Sequence, residues 1–164
     1  MGTGKTCVGR KVARSLGFRF VDTDEMVVEK AGRSIPDIFS ELGEEEFRRL
    51  ETDALRECAR ETGLVISTGG GIVTQSRNLP ILRQAGYVIW LKAAPETIAD
   101  RTSRNRNRPL LATADPEKTI RDLMAKRKDQ YREAADLEVT TDDLTIDETV
   151  YGVSESARLA LDHR

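Results

Sequence analysis

Five residues near the head of the chain, Gly2-Thr3-Gly4-Lys5-Thr6, have the types and spacing to hold a polyphosphate. Glycines let consecutive backbone N–H groups turn toward phosphate oxygens, and a helix starting there adds the dipole of its N-terminus. Lys5 is placed to bridge β- and γ-phosphates, and the Thr6 hydroxyl to ligate Mg²⁺. The bland alternative is a Gly-rich helix cap beside a chance lysine. Against it stands the amphipathic stretch that follows, with Val8, Val12 and Leu16 at helical spacing and Gly17 as its stop. Cys7, directly after the loop threonine, belongs to the same nucleotide-binding segment and is expected to be packed.

A second group of chemical residues is Asp22-Thr23-Asp24, at the end of an apolar strand over 18–21. An α/β sheet opens its ligand crevice at such strand ends. In an extended chain Asp22 and Asp24 share a side, about 7 Å apart. One would then serve the water shell of a metal while the other reaches an acceptor hydroxyl. Capping of a following helix is the competing role. Gly69-Gly70-Gly71 follow a third apolar stretch, where missing side chains let a ring pack against backbone; a flexible turn is the alternative there.

The elements that must carry these residues alternate short apolar strands with longer helical stretches, which predicts an α/β fold with a parallel sheet flanked by helices. Strands are expected at 18–21, 64–66, 87–91 and 137–139. A helical block is expected over 35–60, and a helical face is traced by Ile120, Leu123, Met124, Arg127 and Tyr131. Trp90 reads as core. The phosphate-loop pattern asks for a further glycine upstream of Met1 and for a strand feeding it. That strand would be central in the sheet, so a truncated chain or a misplaced start is expected.

The 164 residues suit a single domain. With 28 acidic and 26 basic residues the net charge is -2, which excludes a globally basic nucleic-acid binder. A basic run, Arg101, Arg104, Arg106 and Arg108, lacks the aromatic residues that would stack bases. No apolar run approaches the ~20 residues of a membrane helix, and no signal peptide is visible. Cys7 and Cys58 match no metal-ligand spacing and read as free thiols of a cytoplasmic protein. His163, the one histidine, is given no role.

Six strings resemble the shikimate kinase family in order and near-spacing: GTGKT at 2–6, DTD at 22–24, FRRLE at 47–51, TGGG at 68–71, RPLL at 108–111 and YR at 131–132. The resemblance implies a phosphate-loop NTPase-type fold and transfer of the ATP γ-phosphoryl group to the 3-hydroxyl of shikimate. It implies that Asp24, Arg48, Gly69, Gly70, Gly71 and Arg132 hold the acceptor, with Arg48 and Arg132 on its carboxylate. Gly2, Thr3, Gly4, Lys5, Thr6 and Cys7 would bind ATP, Thr6 and Asp22 would organise Mg²⁺, and Arg101 would lie against the adenine. Arg108 would descend from a lid over residues 101–112, and residues 24–60 would form the acceptor-binding region. Lys5, Asp24 and Arg108 are then the catalytic set. Arginine suits this task because its planar fork donates two parallel hydrogen bonds to a carboxylate. Glu51, one turn after Arg48, would orient that fork. Shikimate and ATP are the expected partners of a monomer, without nucleic acid or membrane. Two alternatives stay open: a gluconate-type kinase of the same fold, and a non-catalytic nucleotide-binding module.

Overall fold

A computed structural model describes residues 2–102 and 115–162. Helix α1 (Lys5–Leu16) leads into strand β1 (Arg19–Asp22), which pairs in parallel with β2 (Leu64–Ser67) in the register Arg19 to Leu64 and Asp22 to Ser67. Strand β3 (Ile89–Lys92) pairs in parallel with β4 (Leu137–Thr140), Ile89 against Leu137 and Lys92 against Thr140. The architecture is that of the expected α/β class. Among the described residues the four strands form two separate two-stranded sheets, with no strand joining them.

The halves share a roof. Val8 and Val12, one turn apart on α1, pack with Val153 of α8 (Ile146–Asp162) against Val65 of β2 and against Ile89, Leu91 and Val139 of the other pair. Inner strands of a parallel sheet are normally buried on both faces. All four residues of β3 are instead only half-buried, and a cavity of about 530 Å³ runs along the strand and reaches Gly69 and Gly70 beyond β2.

The helical block over 35–60 consists of two helices. α3 (Ile35–Glu41) and α4 (Gly43–Cys58) break at Gly43, whose φ of 86° is left-handed and interrupts the ladder. Their apolar faces meet α2 (Thr23–Ala31) in a local core of Val27, Ile38, Phe47 and Ala54. The remaining helices are α5 (Asn78–Ala85), α6 (Pro95–Thr102) and α7 (Pro116–Ala134). Among the described residues no helix is long and apolar enough to cross a membrane.

Candidate active site

The loop before α1 adopts a phosphate-cradle geometry. Gly2 and Gly4 have φ of 66° and 84°, a region open to glycine at little cost. A Cβ on Gly2 would also sit 3.0 Å from Thr102 Cγ2 and 3.1 Å from Ile98 Cγ2 of α6. The loop walls a cavity of about 510 Å³ together with Cys7, Arg101, Thr141, Leu144 and Ile146. Thr3 Oγ1 is buried without a hydrogen-bond partner among the described residues, a donor held ready in that wall. Cys7 is exposed rather than packed, because the first turn of α1 opens onto the cavity. Arg101 donates to Thr141 Oγ1 and to the Thr141 carbonyl, both at 3.3 Å, which holds it on the same wall.

Asp22 and Asp24 are not the alternating pair of an extended strand. The strand ends at Asp22, which caps α2: its Oδ1 accepts from the Asp24 N–H at 3.0 Å. Asp24 therefore stands in the first helical turn, where the dipole favours a carboxylate. The other oxygen, Oδ2 of Asp22, accepts from the Thr6 hydroxyl at 3.2 Å. This fits a Mg²⁺ ion, which commonly takes one or two protein oxygens and fills its octahedron with phosphate and water.

Arg48 lies in α4, 5 % exposed, with one guanidinium nitrogen on Glu51 at 2.5 Å and two on Glu44 at 2.9 and 3.2 Å. Burial works against its charge, but the two glutamates outweigh it and raise its pKa. Glu51 is 1 % exposed; burial is the main reason its pKa lies above the usual carboxylate value, with Arg48 opposing and Asp24 reinforcing the rise. Glu51 thus orients Arg48 as the spacing implies.

The glycines are a matter of space. A Cβ on Gly71 would collide with the Arg48 guanidinium, and one on Gly69 would meet Glu51 and lie 2.8 Å from Asp24 Oδ1. Asp24, Arg48, Glu51 and Gly69 to Gly71 therefore converge.

Arg132 does not join them. It projects from the exposed side of α7, 56 % exposed, and pairs with Glu138 at 3.4 Å. Helical phase explains this, since consecutive residues point about 100° apart. Arg127, one turn before Tyr131 on the inward face, enters the site: its Nη1 donates to the Gly70 carbonyl at 3.1 Å, and the Tyr131 hydroxyl donates to the same oxygen at 2.5 Å. The helical face shared by Arg127, Tyr131 and Met124 carried the signal that would have found it. Arg104, Arg106, Arg108 and most of the lid segment lie outside the described residues, as does His163. Trp90 is half-buried and stacks on Tyr131, centroids 5.1 Å apart. Among the described residues no cluster of three or more histidine, cysteine or acidic side chains could hold a metal ion.

Parallel strands, a glycine–lysine–threonine cradle at a helix head and an acid-and-arginine pocket beside it define a phosphate-loop α/β phosphotransferase of small molecules. Known proteins narrow the class. The family model described as shikimate kinase matches residues 1–158. The chain is 49 % identical over 148 residues to the shikimate kinase of Caldanaerobacter subterraneus, spanning 90 % of this chain and 86 % of that protein. It is 48 % identical over 141 residues to that of Bordetella avium, spanning 86 % and 68 %. A solved shikimate kinase from Acinetobacter baumannii, in complex with shikimate, superposes with a TM-score of 0.92 at 39 % identity, covering all of this chain and 90 % of that one. This chain belongs to the shikimate kinase family.

Proposed function

We propose that this chain transfers the γ-phosphoryl group of ATP to the 3-hydroxyl of shikimate, giving shikimate 3-phosphate and ADP. The observation that carries the reading is the convergence of Asp24, Arg48 and the glycine run beside the phosphate cradle. ATP occupies the cavity at residues 2–7, its phosphates on the loop amides and Lys5, its base between Arg101 and the Leu144–Ile146 side. Thr6 and Asp22 would hold Mg²⁺, which would supply charge neutralisation to the ATP phosphates.

The acceptor carboxylate is gripped by Arg48 and, in place of Arg132, by Arg127. Asp24 holds the ring hydroxyls and takes the proton from the attacking oxygen as the new P–O bond forms and the bond to ADP breaks. A loose transition state makes positioning and charge neutralisation the main sources of rate. Arg108 completes the charge balance from the lid segment. A single-domain cytoplasmic monomer is the reading that suits the free thiols at positions 7 and 58 and a substrate pair met in the cell interior.

The test is an ADP-release assay with shikimate and, separately, gluconate as acceptor. Turnover with shikimate alone is expected. Turnover with gluconate alone would transfer the chain to the rival kinase class, and ATP binding without turnover of either acid would make it a binding module.

A further inference from the structure

The mechanism above uses Arg48, Asp24 and Arg127 on the acceptor but gives no task to Tyr131. That residue sits opposite the glycine run on α7, and its hydroxyl and Arg127 Nη1 converge on one atom, the carbonyl oxygen of Gly70, at 2.5 and 3.1 Å. Both lone pairs of that oxygen are thereby engaged. The indole of Trp90 lies nearly parallel to the phenol, 20° between planes, and fixes the ring that carries the hydroxyl. Burial raises the Tyr131 pKa, with Arg127 opposing, so the hydroxyl remains a donor throughout the neutral range.

We infer that Tyr131 is a positioning residue for the acceptor, acting through the Gly70–Gly71 peptide. The peptide is trans, so its C=O and N–H point in opposite directions. Anchoring the oxygen on α7 turns the Gly71 N–H away from α7. No protein partner for that N–H is found among the described residues. Glycine residues impose little conformational preference of their own, so a peptide between two of them takes its orientation from what holds it. Two donors on the oxygen also polarise the peptide and make its N–H a stronger donor, since hydrogen bonds in a chain reinforce one another. The N–H adds a directional bond to an acid already gripped by arginine, and that bond exists only while the peptide is locked.

This inference rests on the reading of the site as an acceptor pocket, and its test keeps the two apart. In Tyr131→Phe the ring, its stacking on Trp90 and Arg127 all remain; the hydroxyl alone is removed. The expected result is a 3- to 10-fold rise in KM for shikimate, corresponding to a lost bond of typical net strength. KM for ATP and kcat are expected to stay within twofold, with Tm within a few degrees of wild type. In the ¹H–¹⁵N spectrum without ligand, the Gly71 amide is expected to move upfield in the proton dimension and to exchange faster. An unchanged shikimate KM together with an unmoved Gly71 amide overturns the inference. So does a loss that falls equally on both substrates or follows a drop in Tm, since it would make Tyr131 a packing residue. A wild-type protein inactive on shikimate would defeat the proposed function, while the Gly71 resonance would still report on the peptide.

Discussion

Replacing Arg48 with methionine keeps much of the side-chain volume and removes the charge, which leaves Glu51 at 1 % exposure without its 2.5 Å partner. Glu44 is 57 % exposed and can turn to water. Glu51 cannot, and its escape is to bind a proton. The folded-state pKa, already raised, then moves further above the ordinary value of 4.5. A carboxyl with a raised folded pKa holds more protons folded than unfolded, so stability is full below about 4.5 and falls as pH rises above it. Each pH unit above the unfolded value through which Glu51 must stay protonated costs about 1.4 kcal/mol, so a carboxyl held neutral in the folded state costs on the order of 3 to 4 kcal/mol at pH 7 and less than about 1 kcal/mol at pH 5. These are upper figures, because Arg127 also attracts Glu51. For a chain of this size they correspond to a Tm loss of about 7–14 °C at pH 7 and about 2–4 °C at pH 5. Thermal unfolding by circular dichroism across pH 5 to 7 measures this directly. In the double variant Arg48→Met with Glu51→Gln the pH dependence of the deficit should vanish. A deficit equal at both pH values, or one the second substitution leaves untouched, would refute the account of Arg48 as the counter-charge of Glu51.

Lys5→Ala should abolish ATP-dependent turnover while leaving the fold in place, as read by steady-state assay beside a far-ultraviolet spectrum. For Asp24→Asn, loss of the proton acceptor should lower kcat by about 10²- to 10⁴-fold with a smaller change in ATP affinity; near-normal kcat would remove Asp24 from the proton step. Arg127→Ala and Arg132→Ala should separate cleanly. The former should raise the shikimate KM at least tenfold, and the latter, on an exposed pair with Glu138, should shift neither KM nor Tm appreciably.

The alternation of apolar strands with amphipathic helices was enough to name the fold class, because burial periodicity survives in one sequence. The phosphate cradle was legible for the same reason: a local motif carries its own geometry. Asp22 and Asp24 were singled out but given the wrong geometry, since strand alternation was extended two residues past Asp22, which caps a helix. Arg132 and Arg127 differ in helical phase, and the structure brings Arg127, not Arg132, to the glycine run. A motif string names neighbours, whereas a helix sorts them by angle, and only the inward angle reaches Gly70. Cys7 was expected to pack because cysteines usually do; at a first helical turn facing a cavity, that preference yields to position.

Helix α1 carries the phosphate cradle at its head and, a turn or two later, spans both sheet pairs with Val8 and Val12. A nucleotide seated on that cradle therefore grips the beam on which the two halves hang. Its binding energy adds to the cohesion of the halves by mass action, and the chain should be tightest as a body when ATP is in place. On the proposed reading, one molecule would then serve as both phosphoryl donor and mechanical brace.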